Sequence, residues 1–157
     1  MRPTRPPLGL SLARAARVIS RAFDEALGDA GGSLPMWLVL LHLKIGRAAN
    51  QRRLADAVGI TEATLTHHLN AMETAGLVTR RRDPHNRRIH VVELTGAGEA
   101  AFLRLREAAM AFDRRLRRGV SADEEATLED VLSRLAANVA HNEHGAAPRV
   151  GLTDRDT

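Results

Sequence analysis

The spacing of apolar residues divides the first third of the chain into helical segments. From Leu8 to about Leu27, apolar residues recur at intervals of three and four, which predicts an amphipathic helix. Ser33 and Pro35 then give a helix-start signal, and MWLVLLHLK behind them is apolar on nearly every side, as expected of a central buried helix. GRAAN is interpreted as a turn, and a short third helix is predicted from Gln51 to Val58.

A fourth helix and a β-hairpin are predicted in the middle of the chain. Thr61 is a typical N-cap residue and Gly76 a typical helix terminator, so a helix should lie between them. LVTRRR and RIHVVELT alternate apolar and polar residues, and DPHN between them is a strong turn signal. A helix–turn–helix followed directly by such a hairpin is the winged-helix arrangement.

Two longer helices should complete the chain. Thr95 begins a helix that runs to about Arg118, and SADE at Ser121–Glu124 has the pattern of a capping box that opens a last helix to about Val139. Both helices carry apolar stripes, as does the first helix, and the chain has no further domain to cover them. The pattern therefore predicts a homodimer whose first and last helices pack together.

These elements predict a mainly α fold with a small β-hairpin wing, made of a winged helix–turn–helix domain and a helical dimerisation domain. The winged domain should span 33–95, and the dimerisation region should combine 8–32 with 96–141. A disordered arm at 1–7 and a flexible tail at 142–157 are expected at the two ends.

Composition narrows the available chemistry. The 157 residues are 44% hydrophobic, enough for a core, and include no cysteine, which excludes disulfides, thiolate zinc sites and cysteine nucleophiles. No apolar run approaches the ~20 residues of a membrane span, so no membrane partner and a cytoplasmic location are expected. No nucleophile–base pair, phosphate loop or carboxylate pair stands out, so an enzyme is not expected. A net charge of +4, with a basic body and an acidic end, indicates a nucleic-acid partner.

The segment TEATLTHHLNAMETAGLV has the properties of a helix that reads DNA bases. At about 100° per residue, Leu65, Leu69 and Met72 share one face, and the opposite face is small, polar and nearly uncharged. A major groove about 12 Å wide admits one such helix, and arginines beside the helix can bind phosphates. RRRDPHNRR places five arginines around the predicted turn. The expected contacts with double-stranded DNA are Gln51, Arg52, Thr61, Thr64, Thr66, His67, Asn70, Arg80, Arg82, Asn86, Arg87 and Arg88.

Several motifs occur together in LADAVGITEATLTHHLNAMETAGLVTRRRDPHNRRIHVVELTGAGEA: the LA…GI turn, T-x-T in the fourth helix, GLV before the wing, and R-x-x-x-V-x-LT-x-x-G at its end. With these motifs the chain resembles the MarR family of bacterial transcriptional regulators from Leu8 to about Ala140. The resemblance implies a homodimeric regulator, commonly a repressor, with recognition helices in major grooves and wing tips in minor grooves. Two-fold symmetry then predicts a pseudo-palindromic operator.

Three positions depart from the family pattern. Asn86 stands where the family wing usually has aspartate, so an orienting ion pair with arginine becomes a weaker hydrogen bond. His67 stands where arginine is frequent, and its DNA contacts are expected to depend on pH near neutrality. His68 stands at a usually apolar position and is expected to be semi-buried.

The resemblance also implies a site for a small aromatic or phenolic effector where the helical base meets the winged lobe. Here the site would involve Arg17, Phe23, Trp37 and His42, although core packing is the competing interpretation of Trp37. No cofactor is expected. Zinc is a less favoured effector, with His42, His141 and His144 as weak candidate ligands. The alternatives are a zinc-responsive repressor of the same fold and a winged-helix module that binds protein.

Overall fold

The computed structural model describes residues 6–46 and 48–140. In this part of the chain the elements are α1 (Leu8–Asp29), α2 (Leu34–Gly46), β1 (Ala48–Asn50), α3 (Gln51–Val58), α4 (Glu62–Thr74), β2 (Val78–Arg82), β3 (His90–Leu94), α5 (Gly96–Leu116) and α6 (Ala122–Ala140). They form two compact units, the first ending at Leu116 and the second beginning at Arg117. Most of the predicted arm, residues 1–5, and the predicted tail at 142–157 lie outside the described residues.

Local capping residues begin the helices where the sequence predicts. The hydroxyl of Ser33 accepts a hydrogen bond from the backbone N–H of Met36 (3.3 Å), one turn into α2. The predicted capping box before α6 is also formed: Ser121 N–H donates to the Glu124 carboxylate at 2.8 Å, and Glu124 N–H donates to the Ser121 hydroxyl at 3.3 Å. These hydrogen bonds lower the pKa of Glu124 below its ordinary value.

The wing is a three-stranded antiparallel sheet in the order β1-β3-β2. β2 and β3 form the predicted hairpin, in a register that runs from Val78 opposite Leu94 to Arg82 opposite His90. β1 pairs with the other edge of β3, so the interpretation of GRAAN as a turn is wrong for Ala48–Asn50. Three residues without β-branched side chains carry no strand pattern, and they form a strand because β3 offers unpaired backbone groups at that edge.

Helix α2 lies at the centre of the core of the first unit. Its Val39, Leu40 and Leu43 are fully buried, as the nearly all-apolar MWLVLLHLK predicts. Buried residues from every other helix of this unit and from the sheet join them in one cluster: Leu27, Leu54, Ala55, Leu65, Leu69, Met72, Val78, Val92, Ala101, Phe102 and Leu105. One continuous core therefore fixes α4 and the wing relative to α2 and α5.

Thr95 and Gly98 join the start of α5 to the segment between α4 and the wing. The Thr95 hydroxyl accepts a hydrogen bond from Gly98 N–H at 3.0 Å and donates one to the carbonyl of Gly76 at 2.5 Å. A Cβ atom on Gly98 would lie 2.0 Å from the carbonyl oxygen of Leu77. The close approach explains in physical terms why threonine and glycine occupy the LT-x-x-G motif here.

Apolar residues remain exposed on two helices of the described chain. In α1 the predicted stripe is buried only toward its end, at Leu27, while Leu12 and Ile19 are 41% and 40% exposed. No described residue of α6 is buried, and Leu128 is 55% exposed. Within the described residues, no helix combines the length and the apolar character that crossing a membrane requires.

Candidate nucleic-acid interface

Helices α3 and α4 form the predicted helix–turn–helix. The Asn50 side chain caps α3 by accepting from Arg52 N–H at 2.9 Å. Thr61 caps α4 by accepting from Thr64 N–H at 3.1 Å, and the two threonine hydroxyls also bond each other at 2.9 Å. Thr61 and Thr64 are both exposed. Because their hydroxyls already form hydrogen bonds in the first turn of α4, less of their hydrogen-bonding capacity is left for DNA.

The two faces of α4 agree with the helical geometry read from the sequence. Leu65, Leu69 and Met72 are buried against the core. His67 is exposed and His68 is half-buried, as expected, and their rings meet edge to face with centroids 5.8 Å apart. Small and polar side chains thus occupy the solvent side of α4, and His67 is the largest of the predicted base contacts on that side.

Gln51 and Thr66 connect α3 to α4. Thr66 donates its hydroxyl proton to the backbone carbonyl of Glu62 at 2.8 Å and accepts from the Gln51 side-chain amide at 2.7 Å. Its hydroxyl therefore has no proton left to donate to a base. These two residues, predicted as DNA contacts, are half-buried and bonded to each other, so they join α3 to α4.

Arg80 connects the wing to α4. From β2 its guanidinium reaches the Glu73 carboxylate at 2.5 and 3.0 Å and the Asn70 side-chain oxygen at 2.6 Å. The Arg80 hydrogen bonds lower the pKa of Glu73 below its ordinary value. The Arg80 side chain is only 22% exposed, so it is less accessible to phosphate than the sequence suggests. Asn70 itself remains exposed.

The wing tip between β2 and β3 is closed by its own side chains. Asp83 accepts from His85 N–H at 2.7 Å, and the Asn86 side-chain oxygen accepts from Arg88 N–H at 3.2 Å. The Ile89 N–H also donates to the Asn86 carbonyl at 2.9 Å. Asn86 therefore shapes the backbone of the turn, because its side chain bonds the backbone of Arg88 rather than the arginine side chain that the sequence predicts as its partner.

The arginines of the wing divide into paired and unpaired groups. Arg81 forms an ion pair with Glu93 on the neighbouring strand at 2.7 Å, which raises the pKa of Arg81 and lowers that of Glu93. Across the described part of the chain, the exposed side chains of Arg82, Arg87 and Arg88 have no ion-pair partner. Their uncompensated positive charge lies on the wing that flanks α4, where phosphates of a bound duplex would lie.

Arg52, the remaining predicted phosphate contact, lies at the start of α3. Its guanidinium is 3.8 Å from the Glu62 carboxylate, and its side chain is 80% exposed. A pair this long and this exposed holds the side chain weakly. Arg52 is therefore free to turn toward a phosphate beside the N-terminus of α4.

A cavity of about 790 Å³ lies in the first unit between α1, α2 and α5. Two aromatic pairs form much of its wall: Phe23 stacks on Phe112 with centroids 4.9 Å apart, and Trp37 stacks on Phe102 with centroids 5.5 Å apart. Two of the predicted effector residues, Phe23 and Trp37, thus line one cavity. Trp37 is half-buried, so it serves the core and the cavity wall together.

Arg17 and His42 do not line this cavity. Arg17 is exposed, with its Nε 3.4 Å from the carbonyl of Ala13, and the His42 ring lies 2.7 Å from the carbonyl of Leu38 on its own helix. The charged residues at the cavity are instead Arg106, Asp113 and Arg114 on α5, which sequence reasoning missed. Arg106 lies four residues after Phe102, and Asp113 lies seven residues after Arg106, so the helical repeat places these three on one face of α5; Arg114 lies about 100° away from Asp113.

The described part of the chain contains no group of three histidine, aspartate or glutamate side chains that could bind one metal ion. His42 therefore belongs to no such group among the described residues. The other two candidate ligands, His141 and His144, lie outside the described residues.

Comparison with known proteins identifies the family. A model described as "MarR family" matches residues 33–90. The uncharacterized HTH-type transcriptional regulator YdgJ of Bacillus subtilis (strain 168) is 32% identical over 123 residues, covering 78% of this chain and 73% of that protein. The fold is also similar to the structure of the transcriptional repressor CouR bound to a 23-mer DNA duplex, with a TM-score of 0.76. The two sequences are 28% identical, and the match covers 83% of this chain and 92% of that one.

A mutant of MarR from E. coli, complexed with operator DNA, is similar in fold, with a TM-score of 0.74 at 24% identity over 82% of this chain and 93% of that one. The predicted winged-helix fold and the resemblance found in the sequence are both confirmed. Proteins of this kind are transcription factors and not enzymes. The chain belongs to the MarR family of DNA-binding transcriptional regulators.

Proposed function

We propose that this regulator is a cytoplasmic homodimeric repressor that binds a pseudo-palindromic operator and releases it when a small aromatic carboxylic acid enters the cavity. The observation that carries the proposal is that Arg82, Arg87 and Arg88 on the wing are exposed and have no ion-pair partner among the described residues, while the solvent side of α4 is polar. Repression is supported by the similarity to CouR, which is a repressor bound to a DNA duplex. A repressor acts by occupying DNA, so the same surface serves binding and regulation.

The homodimer is supported by the apolar residues that a single chain leaves exposed. Leu12 and Ile19 on α1 and Leu128 on α6 are at least 40% exposed. Burying each such side chain is worth roughly 1.5–3 kcal/mol, so several together can drive association of two copies. A two-fold dimer presents two α4 helices, which requires half-sites about 10 base pairs apart, or a multiple of that distance.

Sedimentation and DNA binding together test this part of the proposal. At micromolar concentration the protein should sediment as a dimer, and sites selected from random duplex DNA should show inverted symmetry. Binding should weaken steeply as salt is raised, because phosphate contacts release counterions. A monomer that binds a symmetric site tightly, or a selected site without symmetry, would contradict the proposed assembly.

The effector proposal rests on the chemistry of the cavity wall. The stacked pairs Phe23–Phe112 and Trp37–Phe102 offer faces for an aromatic ring, and Arg106 and Arg114 offer guanidinium groups for a carboxylate. Zinc is the alternative effector. Because no three histidine, aspartate or glutamate side chains cluster among the described residues, a zinc site would need a ligand from outside them, where His141 and His144 lie.

The cavity and the DNA-reading surface share helix α5. Phe102 and Arg106 line the cavity on this helix, and Thr95 at its start bonds to Gly76, between α4 and β2. Lys44 of α2 also forms an ion pair with Glu99 in the first turn of α5. A ligand that shifts α5 therefore shifts the base of the wing, because the core is too tightly packed to absorb the movement locally.

Trp37 provides a direct test of effector binding, since it is the only tryptophan and the chain has no tyrosine. Titration with benzoate should change the Trp37 fluorescence saturably and lower affinity for the selected operator. Benzyl alcohol, which has the ring but no carboxylate, should act only at higher concentration. Arg106→Gln and Arg114→Gln should weaken the response to benzoate, whereas Arg104→Gln, an exposed position outside the cavity on the same helix, should not.

Two results would overturn the effector proposal. One is an unchanged Trp37 emission with every aromatic acid tested. The other is an emission change that leaves operator affinity unaltered, since the ligand would then bind without regulating. A response to zinc chloride that a chelator reverses would support the alternative effector.

A further inference from the structure

The hydrogen bond between Arg80 and Asn70 determines which group Asn70 can present to DNA. The Arg80 Nη2 lies 2.6 Å from one terminal atom of the Asn70 side chain. Arginine has five N–H donors and no acceptor, so the Asn70 atom facing it has to be the oxygen. The amide nitrogen, with its two protons, is consequently on the other side of the group.

Glu73 holds Arg80 in this orientation. Its Oε2 accepts from both Nε and Nη2 of Arg80, at 3.0 and 2.5 Å. The Arg80 side chain is enclosed between β2 and α4, with 22% of its surface exposed. A charged hydrogen bond in a partly enclosed place is stronger and less mobile than one in open solvent. The rotation of the Asn70 amide is therefore restricted before DNA arrives.

We propose that Arg80 makes Asn70 an obligate hydrogen-bond donor toward the major groove, so that Asn70 selects a base with an acceptor edge, guanine or thymine. The inference rests on α4 being the helix that reads bases. Guanine presents O6 and N7 and thymine presents O4, all acceptors, whereas cytosine presents only the N4 donor. Asn70 should therefore disfavour cytosine most.

Adenine is the informative case. Asparagine commonly recognises adenine with its oxygen and nitrogen together, pairing with N6–H and N7. In this protein the Asn70 oxygen is directed at Arg80, so the two-bond arrangement is disfavoured and only a single bond to N7 remains. The protein should prefer guanine or thymine over adenine at the base facing Asn70, although asparagine at such a position would ordinarily favour adenine.

Asn70→Asp is the most direct test, because it keeps the oxygen that accepts from Arg80 and replaces the donor nitrogen with an acceptor oxygen of similar size. The preference at one position in each half-site should then change from guanine or thymine to cytosine or adenine, which present amino groups. The change should amount to about tenfold in relative affinity, at the lower end of the usual cost of one mismatched base pair. Overall affinity should also fall, since a carboxylate repels phosphate.

Arg80→Lys tests the role of the arginine separately. Lysine lacks the planar fork that reaches Asn70 and Glu73 together, so the Asn70 amide becomes free to rotate. Adenine should then be accepted at the same position as well as guanine or thymine. The matched control is Arg81→Lys, the next residue of β2, whose partner is Glu93 on β3 and not α4. This control should leave the base preference unchanged.

The experiment is selection of binding sites from a randomised duplex pool by the full-length wild type and each variant, followed by affinities for single-base operator variants. Circular dichroism establishes that each variant is folded. If Asn70→Asp binds too weakly to select sites, Asn70→Ala takes its place and should lose the preference at that one position. A wild-type operator whose preferences persist unchanged in the Asn70 variants would overturn the inference and leave the proposed function standing. A wild type that selects no sequence would overturn both.

Discussion

Replacing Gly98 with alanine should destabilise the protein, although alanine is favoured over glycine in helices by about 1 kcal/mol. The new Cβ would lie 2.0 Å from the carbonyl oxygen of Leu77, whereas real contacts of this kind are not closer than about 3.0 Å. The first turn of α5 would have to retreat by about 1 Å. That movement strains the 2.5 Å bond from Thr95 to Gly76 and the packing beside it. Overpacking of this kind typically costs about 1–3 kcal/mol, so the expected net effect is a loss.

Gly96→Ala is the matched control, because it lies in the same first turn of α5 and a Cβ there would have nothing within 4 Å. It should be neutral or stabilise by up to about 1 kcal/mol. Urea unfolding followed by circular dichroism, at equal protein concentration because association contributes to stability, measures both variants. The Gly98 variant should also bind DNA more weakly, since the wing moves relative to α4. If it unfolds at the same urea concentration as Gly96→Ala, the close approach at Gly98 has no energetic weight and the reasoning fails.

Four further outcomes are expected. Arg88→Ala should weaken specific DNA binding by roughly 1–3 kcal/mol and reduce its salt dependence, measured by fluorescence anisotropy; unchanged values for both would exclude the contact. Thr61→Ala, which removes the cap of α4, should cost about 1 kcal/mol in urea unfolding. Glu73→Gln should be less stable than wild type at neutral pH, and this difference should disappear as pH falls below the ordinary glutamate pKa of about 4.3. Arg80 lowers the pKa of Glu73 in the folded protein, so the stabilisation that the Glu73 carboxylate provides is lost when it is protonated. A stability difference that does not depend on pH would contradict this. Leu128→Asp combined with Leu135→Asp should produce monomers or unfolded chain in sedimentation and abolish specific DNA binding. Glu129→Gln on the same helix should leave both the dimer and DNA binding intact. A double variant that remains dimeric would contradict the proposed interface.

The parts of the fold that could be predicted from the sequence are those set by interactions between near neighbours. The capping box at Ser121–Glu124 and the Thr61 cap involve residues three apart, so their spacing alone contains the geometry. Gly76 ends the α4 turn with a φ of 72°, a conformation that glycine adopts without strain. The faces of α4 follow from the helical repeat, which places Leu65 and Met72 together whatever surrounds them.

The sequence could not predict interactions in which the partner is chosen by packing. Ala48–Asn50 has no strand pattern and becomes β1 only because β3 lies beside it. Arg80 appeared to be one of several free wing arginines, yet it pairs with Glu73 and Asn70 across the turn between α4 and β2. Whether an arginine faces solvent or a carboxylate depends on how the two elements meet.

The cavity between α1, α2 and α5 shows the same division. Its aromatic residues were predicted in part, at Phe23 and Trp37, because large apolar side chains on the first two helices have to lie near the core. The sequence predicts Arg17 and His42 as effector residues, but neither lines this cavity, whose arginines are Arg106 and Arg114. The sequence by itself determined the helices, the buried faces of α2 and α4, and the DNA-binding class. The tertiary structure decided which charges face each other and which face the cavity. A helix can be rotated about its axis or paired with a different neighbour without any change in its own periodicity, so only packing of the common core selects one arrangement.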